Sequence, residues 1–235
     1  MSLRNLVVLT GAGISAESGI STFRDQQGLW EKHSIEEVAT PEAFARDPEK
    51  VLNFYNQRRA QLRQRKIKPN PAHKALASFE KKWLAKGGQF LLISQNVDNL
   101  HVRAGSQRLV NMHGQLMSAL CPRSGRALPW QGDLTQEHLC ECCDPPQLLR
   151  PDIVWFGEVP YHLEACYQAL EAADLFISIG TSGQVYPAAG FMQLAQQVGA
   201  QTVEINLEKT SDTFEQGYYG PASQEVPRFF KQLLA

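Results

Sequence analysis

No apolar run in this 235-residue chain approaches the roughly 20 positions that a membrane-spanning helix needs. No charged-then-apolar leader precedes its first β-like segment either. A membrane partner is therefore not expected, and the expected compartment is the cytoplasm. Charge of one sign is equally lacking: 23 Lys and Arg stand against 24 Asp and Glu, interspersed, for a formal net charge of −1. That balance has none of the basic footprint of a nucleic-acid binder, so no nucleic-acid partner is expected. Cysteine is scarce and unevenly placed, five in all with four of them between Cys121 and Cys143. Such a cluster in a reducing compartment reads as a metal site and not as a disulfide framework. Repeats, low-complexity tracts and flexible linkers are absent. The composition, 43% hydrophobic, suffices for one substantial core with a smaller module inserted in it.

What the sequence does have is a series of short β-rich runs, each ending in polar or glycine residues. They are LVVLT before Gly11, FLLIS before Gln95, RLVNM before His113, DIVWF before Gly157, LFISI before Gly180 and TVEIN before Leu207. The runs are almost continuously apolar and helical stretches lie between most of them, which predicts a Rossmann-like α/β fold with a doubly wound parallel sheet. Ligands of such sheets lie beyond the carboxyl ends of the strands, where these polar clusters fall. Residues 1–34, 69–117 and 147–235 are assigned to this domain. From Ile35 to Arg65 the pattern is helical, with Thr40 as a cap, Pro41 in the first turn, and Val51, Phe54, Tyr55, Arg58 and Leu62 along one side of a later helix. From Ser118 to Pro146 turns and cysteines dominate, so a local clamp must replace a core. Residues 35–68 and 118–146 are expected to form a smaller, discontinuous helical and metal-binding module.

Gly11-Ala12-Gly13 opens a Gly-x-Gly-x-x-Ala turn directly after the first strand. Its glycines permit a tight turn and close approach to a pyrophosphate, whose charge the amides of the next segment can hold. By itself the pattern fits a plain tight turn equally well. A dehydrogenase would place an acidic residue about 20 positions later; here that region is IEEVATPEAF, in a helical pattern, and the run ending Asn206-Leu207-Glu208 is the better partner for an adenosine ribose. The loop from Ser15 to Asp25 holds Thr22, Phe23 and Arg24, a set suited to a flap over a nicotinamide, against the plainer reading of a polar surface loop. Gln95, Asn96 and Asp98 supply amide donors and a carboxylate able to hold a carboxamide and ribose hydroxyls, though Asn and Asp also commonly cap helices. His113 precedes Gly114 at a strand end, which would let it project into the same crevice as a general base. His73, in a helix start, reads as a structural hydrogen-bonding residue, and His33, His101, His138 and His162 as non-catalytic.

The blocks GAGISAESGISTFR, QNVDNLH, NMHG, WFGE, GTS and INLE resemble the signature blocks of the sirtuins, the NAD-dependent protein-lysine deacylases, in that family's order and over nearly the whole chain. The compact length and the helix with Tyr55 and Arg58 are most similar to the bacterial CobB-type members, related to the class III-like sirtuins with desuccinylase activity. The resemblance implies that Gly11, Ala12 and Gly13 line the pyrophosphate of NAD, that Phe23 covers the departing nicotinamide and that Arg24 steadies the loop. It also implies that Asn96 and Asp98 hold the nicotinamide ribose and carboxamide, and that Trp30, Gln95, Gly180, Thr181, Ser182, Asn206, Glu208 and Ala222 complete the NAD site. In the family's reaction the acyl oxygen attacks the ribose carbon bearing nicotinamide, and the histidine, here His113, activates a ribose hydroxyl; His113 and Asn96 are the implied catalytic residues. The products are free lysine, nicotinamide and O-acyl-ADP-ribose. Acyl-lysine proteins would bind as extended peptides between Gly157-Glu158-Val159 and Gly183-Gln184-Val185-Tyr186, with Val154 and Phe156 flanking the acyl-lysine tunnel. Tyr55, Arg58 and Ala39 would face the acyl group, so that succinyl as well as acetyl groups are removed.

The cysteines depart from the family's two Cys-x-x-Cys pairs. Cys140 and Cys143 form the second pair, but Ser124 stands where the second cysteine of the first pair would be, and a neutral serine is a poor zinc ligand beside a thiolate. Cys121, Cys140 and Cys143 are the expected ligands of one structural zinc, with Cys142 or a water completing the tetrahedron. A monomer is expected. The competing readings are an NAD-dependent protein ADP-ribosyltransferase, a binding module regulated by NAD, and a hydride-transfer dehydrogenase.

Overall fold

A computed structural model of the chain describes residues 3–20 and 33–235. The first apolar run is β1 (Asn5–Thr10), and the turn after it is the short α1 (Gly13–Ala16). Then come α2 (Ile35–Val38), α3 (Pro41–Arg46), α4 (Pro48–Leu62), α5 (Pro71–Ala85), β2 (Gln89–Ser94), α6 (Leu100–Ala104) and β3 (Leu109–Asn111). They are followed by β4 (Gly114–Leu120), β5 (Ala127–Pro129), β6 (Arg150–Ile153) and α7 (Leu163–Glu171). The chain closes with β7 (Leu175–Ile179), α8 (Phe191–Gln197), β8 (Gln201–Asn206), β9 (Gln216–Tyr219) and α9 (Ala222–Leu234). No helix among the described residues is long and apolar enough to cross a membrane.

Six strands pair in parallel in the order β3-β2-β1-β7-β8-β9. Successive β1 residues point to opposite faces: Leu6 and Val8 pack with Leu76 and Phe79 of α5 and Phe229 and Phe230 of α9, while Val7 and Leu9 pack with Leu170 of α7 and Phe191 and Ala195 of α8. A strand buried on both faces needs apolar residues at every position, which is why these runs do not alternate. The chain winds outward from β1 to β2 and β3, then returns to the other side of β1 with β7. The strand order therefore reverses between β1 and β7, and the crevice beyond their carboxyl ends is the ligand-binding position of this architecture.

Two strands differ from the sequence reading. The DIVWF run does not join the parallel sheet; its first residues belong to β6, an edge strand paired antiparallel with β4 in a separate three-stranded sheet of order β5-β4-β6. The segment includes Pro151, which has no N–H for a central ladder, and the charged Arg150 and Asp152. The sixth parallel strand is instead β9, whose sequence QGYY is too polar and exposed to stand out as a buried run.

The helical insertion forms as its caps dictate. Thr40 Oγ1 accepts from Ala43 N–H at 3.1 Å and Asp47 Oδ1 from Lys50 N–H at 3.0 Å, each followed by a proline at the first helical position. Val51, Phe54, Tyr55 and Leu62 of α4 are buried with Leu116, Ile153 and Trp155, joining the helices to the second sheet. Arg59, beside Arg58 in sequence, is not on a solvated face: it is fully buried, donating Nε–H to Leu116 O at 2.8 Å and Nη1–H to Asn56 Oδ1 at 2.7 Å. Burial pushes its guanidinium down to about 10, so it stays charged at neutral pH. We expect Arg59→Leu to destabilise the protein by about 2 to 3 kcal/mol, since charge-assisted bonds are lost while some desolvation cost is relieved. Denaturant unfolding of the variant beside wild type measures this.

Candidate active site

A cleft of about 570 Å³ opens beyond the carboxyl ends of β1, β2, β7 and β8. Gly11, Ala12 and Gly13 form one wall against Gly180, Thr181 and Ser182. A Cβ on Gly11 would lie 2.8 Å from Gly180 O, and one on Gly180, which has φ of +59°, would lie 2.5 Å from Ile14 N. The glycines are thus required first by backbone packing of the β1–α1 turn on the end of β7. The amides opening α1 are also engaged within the protein, Gly13 N–H to Gly180 O at 2.8 Å, Ile14 N–H to Gly11 O and Ser15 N–H to Ala12 O. Asn206 Nδ2 donates to Thr181 O at 2.9 Å and Gln95 Nε2 to Thr181 Oγ1 at 3.1 Å, lacing three strand ends together. Ala222 at the start of α9 also lines the cleft, and so does Leu207, whereas Glu208 is exposed and outside the lining. Phe23, Arg24 and Trp30 lie outside the described residues.

Asn96 and Asp98 meet through Ser15, a residue of the first signature block that the sequence reading left without a role of its own. Asn96 Nδ2 donates to Gly11 O at 3.0 Å and Ser15 Oγ at 3.3 Å, and Ser15 Oγ donates to Asp98 Oδ2 at 2.9 Å. Asp98 Oδ1 accepts from Leu100 N–H at 2.9 Å, so this residue anchors the α6 turn as well as facing the cleft. Burial raises its carboxyl above the ordinary value, opposed by these hydrogen bonds.

His113 enters the same cleft between β3 and β4. Its Nδ1 lies 3.0 Å from Gln95 O. A carbonyl only accepts, so Nδ1 carries the hydrogen and Nε2 of the neutral ring keeps its lone pair. Burial lowers the imidazole's pKa below its ordinary value, partly offset by the Gln95 bond. Gly114 is indispensable to this placement: its φ is +83°, and a Cβ there would sit 2.1 Å from Asp152 O. His73 and His101 are buried together behind the cleft, their rings 4.8 Å apart, with His73 Nδ1 at 3.0 Å from Asn70 Oδ1 and His101 Nε2 at 3.1 Å from Thr10 Oγ1. Burial pushes them down to about 4 and about 3, so both are neutral packing residues.

On the far side of His113, Tyr55, Arg58, Ala39, Val154, Phe156, Gly157 and Glu158 line the cleft, with Val185 across it. Tyr55 is fully buried, and its hydroxyl accepts from Trp155 Nε1 at 2.9 Å. Trp155, the first residue of the WFGE block, is thereby a neighbour of Tyr55 to which the sequence reading assigned no role. The Arg58 guanidinium carbon stacks 3.9 Å from the Phe54 ring centroid. Ala39 O accepts from Phe156 N–H at 3.0 Å, tying α2 to this loop. Glu158 uses its carboxylate inside the protein: both oxygens accept from Arg150, at 2.6 and 2.8 Å, and Oε2 also from Trp155 N–H. Burial would raise this carboxyl, but the Arg150 and Trp155 bonds outweigh it and hold it below its ordinary value. Val159 and Tyr186 are 75% and 76% exposed, and Tyr186 lines the cleft.

A model of the Sir2 family matches residues 11–187. The chain belongs to the Sir2 family. The "NAD-dependent protein deacylase" of Bdellovibrio bacteriovorus is 58% identical over 233 residues, covering 98% of this chain and 97% of the relative. That of Escherichia coli K12 is 56% identical over 236 residues, covering 100% of this chain and 84% of the relative. A solved Sir2 homologue in complex with NAD superposes with a TM-score of 0.84 at 39% identity, covering 98% of this chain and 90% of that one.

This Sir2 chain also brings its cysteines together. The Sγ atoms of Cys121, Cys140, Cys142 and Cys143 all lie within 4.8 Å of one another, with Cys121 and Cys143 at 3.6 Å. Zinc–sulfur bonds of about 2.3 Å in a tetrahedron place sulfurs about 3.8 Å apart, so the cluster fits one zinc. Cys140 Sγ in addition accepts from Gln147 N–H at 3.2 Å. The buried apolar set around the cluster is small, Leu52, Ala119, Leu134 and Leu149 beside Cys121 and Cys140, as expected where a metal clamp substitutes for a core.

Proposed function

We propose that this Sir2 protein is an NAD-dependent protein-lysine deacylase that removes both acetyl and succinyl groups, releasing nicotinamide and O-acyl-ADP-ribose. The observation that carries the reading is His113, whose Nε2 keeps its lone pair for a proton, in one continuous cleft with the Asn96–Ser15–Asp98 network on one side and Tyr55 and Arg58 on the other. The relatives named NAD-dependent protein deacylase and the NAD-bound homologue support the NAD-dependent deacylase part of this reading.

NAD supplies a ribose carbon that carries nicotinamide as a leaving group. The walls Gly11–Gly13 and Gly180–Ser182, with Gln95, Asn206 and Ala222, would hold it. Asn96 and Asp98 orient hydroxyl and amide groups, and their partner Ser15 fixes both side chains. His113 takes a proton at Nε2, its ring orientation fixed by Gln95 O. The segments Gly157–Val159 and Gly183–Tyr186 would pair an acyl-lysine peptide as an added strand; main-chain bonding of that kind does not read side chains and allows many protein substrates. Phe23, Arg24 and Trp30 belong to this reading through the resemblance alone, as does Glu208 at the adenosine ribose. The zinc, held by thiolates in a closed site, would be structural.

The test is mass spectrometry of acetylated and succinylated peptides incubated with and without NAD. One nicotinamide released per lysine unmasked is expected, with no reaction in the absence of NAD. Deacylation after complete NAD removal would refute the reading, and a peptide gaining ADP-ribose without losing its acyl group would mark the transferase instead.

A further inference from the structure

The segment that leaves β6 spends most of its amides inside the protein. Val154 N–H donates to His113 O, Phe156 N–H to Ala39 O and Glu158 N–H to Trp155 O, each at 3.0 Å, and Trp155 N–H donates to Glu158 Oε2 at 2.8 Å. Among the described residues the amides of Gly157 and Val159 have no partner, which makes them the donors left for an added strand. Glu158 stands between the two, and what fixes it is Arg150, at the start of β6. Arg150 is buried, with its guanidinium carbon 3.5 Å from the Trp155 ring centroid. Its Nη1 and Nη2 donate to the two Glu158 oxygens at 2.6 and 2.8 Å, and Nη2 also donates to Ile153 O at 2.7 Å. One side chain thus grips the segment at its beginning, its middle and its end. A lysine could not do this, because an ammonium is a point charge with neither a planar fork nor a stacking face.

We propose that Arg150 is a positioning residue for the protein substrate, which through Glu158 holds the Gly157 and Val159 amides in register for the peptide strand. The inference rests on the deacylase reading and on peptide pairing at this segment. It makes the Glu158 side chain an internal anchor, so that this residue serves the substrate through its backbone alone. A shift of that anchor displaces both free donors, one on each side of it. The acyl-lysine tunnel depends less on Arg150, since Trp155 is also held by its bond to Tyr55 and by burial with Phe54 and Leu116. The NAD walls Gly11–Gly13 and Gly180–Ser182 belong to other elements. Loss of the Arg150 grip should therefore fall on the flanking peptide, and not on the cofactor or on the acyl-lysine itself.

The experiment compares full-length wild type, Arg150→Lys, Glu158→Gln and the double variant on an acetylated peptide and on the single residue Nε-acetyl-lysine, which can enter the tunnel but offers no flanking strand. NAD affinity is measured by titration alongside. In Arg150→Lys the peptide KM is expected to rise at least about 10-fold, while NAD affinity and kcat/KM for Nε-acetyl-lysine change less than about 2-fold. Glu158→Gln should show the same split, and the double variant should be no worse than the more affected single one, because the two residues act as one device. Equal losses on the peptide and on the single residue, a loss of NAD affinity, or additive effects in the double variant would overturn the assignment and mark the pair as general support of the fold. Glu158 is partly exposed, so Glu158→Gln carries the test even if Arg150→Lys does not fold. Wild type that deacylates neither substrate with NAD would instead overturn the deacylase reading, and this inference with it.

Discussion

His113→Ala should leave the fold and NAD affinity in place while lowering turnover roughly 10²-fold or more, the usual scale for a positioned general base. The loss is assigned to chemistry because the side chain's bond from Nδ1–H to Gln95 O orients the ring and joins no core. Gly114 remains to carry the backbone through its left-handed turn. Circular dichroism and NAD titration establish the intact state, and turnover on an acetyl peptide gives the loss; near-normal turnover would reassign His113 to packing. The pH profile provides a second reading. A base must be neutral, and burial lowers the His113 pKa, so the neutral form persists below the ordinary value of about 6.5 and is lost as pH falls through the lowered one. The acidic limb of kcat/KM should therefore lie below about pH 6.5 and be missing in the residual activity of the variant.

How much of this site is legible in the sequence depends on how far apart the partners lie. β1, β2, β7 and β8 are buried on both faces and so write continuous apolar runs, and the residues that follow them fall into the cleft because parallel strands deliver their carboxyl ends to one edge. The same logic misplaces DIVWF, since a run of four or five residues does not say which sheet it joins, and it overlooks β9, whose exposed edge carries no pattern. The bracing of the site is illegible for another reason. Trp155 reaches Tyr55 across 100 positions, Asn96 reaches Ser15 across 81, and Arg59 reaches Leu116 across 57. Such pairings follow from tertiary packing, and no local pattern shows them even where one partner, such as Asn96 or Tyr55, stands out by itself. Arg59 neighbours Arg58 in a basic stretch, yet one step around a helix turns a side chain by about 100°, and it ends in the core while Arg58 faces the cleft.

That difference between neighbours leads to the expected selectivity of Arg58→Met. Tyr55 and Arg58 are three apart on α4 and share a face, and the structure sets both at the cleft with Ala39, whose small side chain leaves room there. The Tyr55 hydroxyl accepts from Trp155, and burial raises its pKa so that the phenol stays neutral. A guanidinium can add two parallel bonds to a terminal carboxylate. The charge of Arg58 is thus suited to a succinyl carboxylate, and the acetyl group has none. Methionine keeps the length and apolar body that pack near Phe54 and removes the charge. Without the charge-assisted hydrogen bonds, binding of that carboxylate weakens by about 1.5 to 3 kcal/mol, or roughly a 10- to 150-fold fall in succinyl kcat/KM, with little change on the acetyl peptide. Measuring both peptides on wild type and Arg58→Met decides the matter. Unequal losses in that direction make Arg58 the reader of the acyl carboxylate, and equal losses would mean that it supports α4 and the cleft wall for every substrate alike.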